Sequence, residues 1–133
     1  MTKLEAVQKY FKNCPYLDED GFIDVNYLDD DVYNYSINLS IENPVYKTYA
    51  DGGEIRQLIF YFVSTLPLDR AEIINNSAFG EQLADWIKEQ NDNNNLPEID
   101  GVISIECLSN GVIEQNSETT AIYSIQVRIL YEN

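Results

Sequence analysis

The stretch AIYSIQVRILY near the C-terminus constrains the fold most, because every second residue in it is apolar or a tyrosine. Successive side chains of a β-strand point to opposite faces, so alternation with a period of two predicts a strand with one buried face. The residues that share this face are Ala121, Tyr123, Ile125, Val127, Ile129 and Tyr131. The chain is therefore predicted to contain a β-sheet to which this stretch contributes a long strand.

Other stretches predict further strands of the same sheet. VISIECL alternates in the same way, and SNGV is predicted to turn between it and the C-terminal strand. IRQLIFYFVS is apolar on both faces beyond Gln57, which is typical of a central strand. YSINLSI alternates apolar with polar residues, which is typical of a half-buried strand. Its apolar face holds Tyr35, Ile37, Leu39 and Ile41, and its polar face Ser36, Asn38 and Ser40.

Val45 to Tyr49 and Ile55 to Ser64 are predicted to form a β-hairpin. The intervening ADGGE is a turn signal, because its glycines can adopt positive φ. Pro44 has no backbone N–H to donate, so it confines the first strand to a strand beginning or a sheet edge.

The N-terminus is predicted to form a short helix that Pro15 ends. Thr2 can cap it, and Glu5 three residues later completes a capping box. The helix packs either on its own sheet or on a neighbouring subunit. Its apolar stripe holds Leu4, Val7, Phe11 and Cys14.

A second helical region is predicted from a cap at Asp69 to about Asn91, and NDNNNLP ends it as a solvated loop. NNSAFG, at Asn76 to Gly80, is a possible break within it. Its inward residues are predicted to be Ile73, Ile74, Phe79, Leu83, Trp86 and Ile87.

These elements predict an α+β fold in a single domain of residues 1–133. Strands and helices are not regularly interleaved, so the sheet is predicted to be mostly antiparallel, with the N-terminal helix and the central helical region packed on it. A chain of this length is long enough to bury a core of its own.

The composition excludes several classes of function. With 23 acidic against 8 basic residues the net charge is −15, a balance that repels nucleic acids and anionic membranes. The chain has no histidine, which removes Ser-His and Cys-His catalysis and the commonest transition-metal ligand. Cys14 and Cys107 fit no metal spacing. We therefore expect no enzyme activity and no cofactor, and the lack of a signal peptide or a long apolar run predicts a soluble intracellular protein.

The stretch DEDGFIDVNYLDDD, from Asp18 to Asp31, concentrates the acidity. Part of it matches an EF-hand calcium loop, in which the first and twelfth positions normally supply ligands. Those positions hold Tyr16 and Tyr27, so no metal site is predicted, and we interpret the carboxylates as a solvated, repulsive surface. The residues that do match EF-hand positions are Asp18, Asp20, Gly21, Ile23 and Asp24.

Several stretches, taken in order, resemble a known family. NPVYKTYADGGEIRQ, FGEQLADWIKEQNDNNNLP, LSNG and YSIQVRILY are similar to the minor capsid proteins of siphophages and prophages of Gram-positive bacteria. That family is related to tail-terminator and tail-to-head joining proteins. With the N-terminal helix, the resemblance covers nearly the whole chain. It is carried by Pro44, Lys47, Tyr49, Asp51, Gly52, Arg56, Gln57, Ala84, Asp85, Trp86, Gln90, Asn91, Tyr123, Gln126, Arg128 and Tyr131.

The resemblance implies a tail-terminator-like fold and a structural role in the virion, at the head–tail junction, after assembly in the host cytoplasm. Copies would form a ring, expected to be a hexamer, that ends the tail tube and joins it to the head connector. DNA would pass through the ring without specific binding, and acids facing the bore would keep its phosphates from adhering. Some relatives are described as chloramphenicol resistance proteins, but acetyl transfer to that drug uses a histidine, and this chain has none.

The hairpin is the predicted assembly interface, because a polar tip can reach a neighbouring subunit or the tail tube. The candidate residues are Lys47, Tyr49, Asp51, Gly52, Gly53 and Arg56. The alternative function is an acidic regulator that mimics DNA and occupies a basic nucleic-acid-binding protein, which the net charge supports equally. Mass in solution discriminates them, since a mimic stays monomeric or dimeric whereas a terminator makes rings.

Overall fold

The computed structural model describes residues 2–17, 23–25, 35–40, 44–67, 70–109, 111–115 and 119–132, with the backbone alone for 66–67, 70–77 and 112–115. Helices and strands follow one another along these ranges in the order α1 (Lys3–Phe11), β1 (Ile23–Val25), β2 (Tyr35–Leu39), β3 (Val45–Thr48), β4 (Glu54–Pro67), α2 (Arg70–Asp92), β5 (Val102–Cys107), β6 (Val112–Gln115) and β7 (Thr120–Glu132).

The seven strands form one sheet in the order β1-β2-β4-β7-β5. β3 lies beside β4 on the same side as β2, and β6 lies beside β7 on the same side as β5. Every pair is antiparallel except β1 with β2. The fold is therefore α+β with a mostly antiparallel sheet, as the sequence predicts.

The long strands β4 and β7 form the centre of the sheet. They pair from Ile55 opposite Glu132 to Pro67 opposite Thr120. β7 alternates half-buried and buried residues from Thr120 to Ile129, so the predicted buried face is confirmed. Tyr131, the last residue predicted on that face, is half-buried and packs against the core.

The predicted hairpin is confirmed with slightly different bounds. β3 ends at Thr48, and β4 continues to Pro67, beyond the predicted end at Ser64. The register shifts between Val45 and Lys47, which marks a β-bulge in β3. β3 pairs only with β4 in the described ranges and is an edge strand, in agreement with the position of Pro44.

Both helices cover the same side of the sheet. Thr2 caps α1, and its Oγ1 accepts a hydrogen bond from the backbone N–H of Glu5 at 3.1 Å. Phe11 is fully buried at the centre of the core, where its ring contacts the rings of Tyr10, Phe60, Phe62 and Trp86. The N-terminal helix therefore packs on its own sheet. Leu83, Trp86 and Ile87 of α2 are buried as predicted.

Three features differ from the sequence expectations. α2 is continuous through Asn76 to Gly80, so the predicted break is wrong. β1 and β6 are strands that the sequence analysis does not predict. In β2 the alternation is imperfect, because Ser36 is buried whereas Leu39 is 44% exposed. Leu39 lies beyond Ile37, where the pairing with β1 ends, so no strand among the described residues flanks it on that side.

Some expectations fall outside the described residues. They concern the cap at Asp69, the side chains of Ile73 and Ile74, Ile41, and the acidic stretch apart from Ile23–Val25. Those three residues form β1 and pair in parallel with β2.

The loop after α2 ends that helix as predicted, but it is more than a linker. Asn95 O accepts a hydrogen bond from the hydroxyl of Tyr10 at 2.9 Å, which ties the loop to α1. Asn91, near the C-terminal end of α2, accepts a hydrogen bond through Oδ1 from the backbone N–H of Ile105 at 3.0 Å. β5 pairs only with β7 in the described ranges, so Asn91 covers the middle of an otherwise unpaired strand edge.

Candidate assembly surface

The hairpin tip between β3 and β4 has a defined hydrogen-bonded geometry. Tyr49 N–H donates to Gly53 O at 2.7 Å, and Gly52 N–H donates to Tyr49 O at 3.0 Å. Gly52 has φ +92°, which glycine adopts without the steric cost that a Cβ brings. Asp51 Oδ1 accepts from Gly53 N–H at 3.0 Å. The tip is thus an ordered, polar turn at the end of the β3–β4 hairpin.

The structure brings most of the predicted interface residues together at this tip. Lys47, Tyr49, Asp51 and Gly52 are exposed, and Gly53 is half-buried beside them. The ammonium of Lys47 lies 5.3 Å from the centroid of the Tyr49 ring, within the range of a cation–π contact.

Arg56 is separated from the other predicted residues. It alternates with Ile55 along β4 and therefore points to the helix-covered side of the sheet, whereas Lys47, opposite Ile55, points to the other side. Its guanidinium pairs with Glu54 at 3.4 Å. Of the predicted residues, those available to a partner are therefore Lys47, Tyr49, Asp51, Gly52 and Gly53.

The side of the sheet away from the helices is a second candidate surface, which we call the open face. Alternate residues of β4 and β7 point towards it, because their neighbours Phe60, Phe62, Ile125 and Val127 point into the core. Neither described helix lies on it. Its residues are Ile55, Gln57, Ile59, Tyr61 and Val63 of β4 and Ser124, Gln126, Arg128 and Leu130 of β7. Ile59 and Val63 are buried, whereas Tyr61 is exposed.

A tyrosine–arginine pair that the sequence analysis does not include among its site residues lies on the open face. The guanidinium carbon of Arg128 is 4.9 Å from the centroid of the Tyr46 ring. Arg128 also donates from Nε to Glu106 Oε1 at 2.8 Å and makes an ion pair with the same carboxylate. Tyr46 lies at the bulge of β3, so its ring crosses the face of β4 to reach β7. Strand alternation alone does not place it there.

Two of the clefts on the described surface lie away from the hairpin tip. One, of about 570 Å³, is lined by Thr2, Lys3, Glu98, Ile99, Asp100, Tyr131 and Glu132. The other, of about 290 Å³ between α2 and β5, includes Cys107. Burial, and then the neighbouring Glu106, raises the pKa of the Cys107 thiol to about 11, so the thiol is protonated at neutral pH and is a poor nucleophile. Within the described ranges no three His, Cys, Asp or Glu residues are grouped to hold a metal ion.

The hydroxyl-bearing side chains of Tyr123 and Ser64 are both buried in the core. They are opposite each other in β7 and β4, and neither hydroxyl has a hydrogen-bond partner in the described structure. Burial, and then the neighbouring Cys107, raises the pKa of Tyr123 to about 12. Burial also raises the pKa of Tyr10 above its usual value.

These shifts predict a loss of stability at alkaline pH. A tyrosine whose pKa is higher in the folded chain contributes stability that is complete below about pH 10 and is lost as pH rises through its folded pKa. The free energy of unfolding should therefore fall between about pH 10 and 12, by about 1.4 kcal/mol per pH unit for each such group. Urea denaturation at several pH values measures this slope.

Tyr123→Phe should make that slope shallower without lowering stability at pH 7, because the hydroxyl removed has no hydrogen-bond partner among the described residues. Tyr61→Phe is the matched control, since Tyr61 is 40% exposed on the neighbouring strand. If Tyr123→Phe leaves the dependence of the unfolding free energy on pH unchanged, ionisation of Tyr123 does not cause the loss of stability at alkaline pH.

No protein-family model matches the chain, and no curated protein is detectably similar to it. No helix in the described part of the chain has an apolar segment of the length that crossing a membrane requires.

Proposed function

We propose that the chain is a structural subunit of a phage head–tail junction, which assembles into a ring, ends the tail tube and joins it to the head connector. The observation that carries this proposal is the projecting β3–β4 hairpin, whose exposed tip combines Lys47 with Tyr49. Tyrosine is enriched at protein interfaces, where its ring packs and its hydroxyl stays hydrated. The resemblance of the sequence to minor capsid proteins supplies the biological setting.

A ring requires two different surfaces on each subunit, because the contact between neighbours is head-to-tail. The hairpin supplies a projecting surface on one edge of the sheet. The acidic balance of the chain supports the passage of DNA, since a bore lined with carboxylates repels phosphates.

The test is negative-stain electron microscopy of the purified protein, alone and with tail-tube protein added. Closed rings of about six copies at the ends of tubes are expected. A protein that stays monomeric or dimeric in both samples would contradict the proposal and favour the DNA-mimic alternative. That alternative would then be tested by measuring binding to basic nucleic-acid-binding proteins.

Lys47→Glu is expected to abolish ring formation while leaving the fold intact, because Lys47 is exposed at the proposed contact. The variant removes the cation that contacts the Tyr49 ring and adds a charge to a strongly acidic chain. Electron microscopy and a thermal melt measure the two effects.

Lys88→Glu is the matched control, since Lys88 is also exposed, lies on α2 away from the hairpin and undergoes the same change of charge. Its ion pair with Asp92 is exposed and contributes little to stability. Rings that form equally well with Lys47→Glu, or that are lost equally with both variants, would contradict a specific role for the hairpin. Replacing Ala50 to Gly53 with a shorter Asn-Gly turn tests the same role without changing Lys47.

A further inference from the structure

The cleft between α2 and β5 lies at the edge of the sheet opposite to the hairpin. β5 pairs with β7 at one edge, whereas β3 pairs with β4 on the side away from β7. The cleft has an apolar floor, because Ile87 and Ile105 are buried beneath it and the half-buried Ala84 and Cys107 line it as well. Such a floor favours an apolar or aromatic group as the occupant.

The size of the cleft and the state of the β5 edge limit what can enter it. Its volume of about 290 Å³ is just below the range of about 300–1,000 Å³ that is typical of small-molecule pockets. It therefore suits one large side chain better than a whole drug-sized ligand. Asn91 already accepts the hydrogen bond of Ile105 N–H at this edge, so a partner enters through its side chains rather than by adding a strand there.

The rim of the cleft offers a negative charge that no ion pair within the described structure uses. Lys88 pairs with Asp92, and Glu106 pairs with Arg128. Asp85 also lines the cleft, but it is exposed and makes no ion pair with any described residue. The cleft thus combines an apolar floor with a carboxylate at its rim.

The hairpin tip has the complementary chemistry. Lys47 is exposed and makes no ion pair with any described residue. Its ammonium lies 5.3 Å from the centroid of the Tyr49 ring, which is 41% exposed. The tip therefore presents an aromatic ring and a cation side by side, which match the apolar floor and the carboxylate of the cleft.

We infer that the hairpin tip of one copy docks in the α2–β5 cleft of the next copy, with the Tyr49 ring on its floor and Lys47 beside Asp85. Within one chain β4 and β7 separate the two surfaces, so they can meet only between copies. Each copy then uses a different edge for each neighbour, which is the head-to-tail contact that a ring requires. The inference rests on the proposed ring and names its two contact surfaces.

Charge-reversed variants test the contact, with sedimentation velocity as the measurement, both with and without tail-tube protein. Lys47→Glu and Asp85→Lys should each weaken association by at least about tenfold, because each places like charges at the contact. The double variant that carries both substitutions should restore association, since opposite charges meet again. Such a restoration requires a direct contact, and a thermal melt checks that every variant is folded.

Glu81→Lys is the matched control for Asp85→Lys. Glu81 is exposed one turn earlier on α2, is not among the residues that line the cleft, and undergoes the same change of charge. It should not weaken association. Both substitutions reduce the negative charge of the chain, so greater repulsion between copies cannot explain a loss with Asp85→Lys. Lys88→Glu adds a carboxylate to the rim and should not weaken the contact either.

Tyr49→Ala tests the aromatic half of the contact. It should weaken association by at least about 30-fold, the effect typical of a central interface residue, because it removes the ring that fills the cleft. Tyr16→Ala is its control, since Tyr16 is similarly exposed near the end of α1, and it should leave association unchanged.

The inference and the proposed function fail in different ways. Association that survives Asp85→Lys, or that the double variant does not restore, would overturn the inference, while rings at the ends of tubes would still support the proposed function. Restored association without rings at the ends of tubes would support the hairpin–cleft contact and contradict the proposed function. A chain that stays monomeric both with and without tail-tube protein would overturn both.

Discussion

Phe11→Ala is expected to lower the free energy of unfolding by about 3–5 kcal/mol, the range for removing a large buried aromatic side chain. Phe11 is fully buried, and its ring stacks on Phe62 at 4.7 Å between centroids. Its ring also lies 5.9 Å from the ring of Trp86 in α2, between centroids, so the substitution removes one of the contacts that join α1, α2 and the sheet. The surrounding elements cannot close such a cavity without moving as units.

Urea denaturation followed by tryptophan fluorescence measures this loss, because Trp86 is the single tryptophan of the chain. Tyr16→Ala is the control, since it removes an aromatic side chain that is 44% exposed. It should change stability by less than about 0.5 kcal/mol. A midpoint for Phe11→Ala close to that of the control would show that α1 does not pack on the sheet through Phe11.

Gly101→Ala is expected to destabilise the chain by about 2–5 kcal/mol, from two separate causes. Gly101 has φ +76°, a conformation that costs other residues about 1–2 kcal/mol. A Cβ there would lie 2.5 Å from the backbone oxygen of Glu132, so either β7 or the loop must shift, at a cost of about 1–3 kcal/mol. The hydrogen bond from Glu132 N–H to Gly101 O, at 2.9 Å, holds the two backbones at this distance.

Gly52→Ala separates the two causes. Gly52 has φ +92°, but apart from its chain neighbours no atom of the described residues lies within 4 Å of the position of an added Cβ. It should therefore lose only the conformational part, about 1–2 kcal/mol. Equal losses for the two variants in thermal and urea denaturation would show that the close approach to Glu132 contributes nothing.

The sequence predicts those elements that carry a long repeating pattern. β7 and the β3–β4 hairpin follow from alternation and from the turn signal, because those signals are local. β1 and β6 are too short for a period to be visible, and β1 depends on parallel pairing with a strand that follows it in sequence. Trp86 is buried as expected, but its ring contacts are with Tyr10 and Phe11 of α1, which strand periodicity cannot reveal.

The predicted break in α2 fails for a reason that the structure makes clear. A Cβ on Gly80 would lie 3.0 Å from the ring of Tyr123, so this glycine lets the helix approach a bulky side chain of β7 rather than interrupting the helix.

The candidate assembly surface can be predicted only in part from the sequence, because some of its contacts depend on how the strands pair. The residues at the hairpin tip follow from local turn chemistry. Arg56, in contrast, points to the helix-covered side of the sheet because of strand alternation. Tyr46 reaches Arg128 only because of the bulge in β3.

The hydrogen bond from Ile105 to Asn91 has a consequence for uncontrolled polymer growth. Exposed strand edges let sheets of different molecules join into fibres, and an endless fibre needs two free edges on every molecule. Here the β5 edge is occupied at Ile105 by the Asn91 side chain of α2. A strand of another molecule must displace that side chain before it can pair with β5 there, so edge-to-edge association along β5 carries this additional cost.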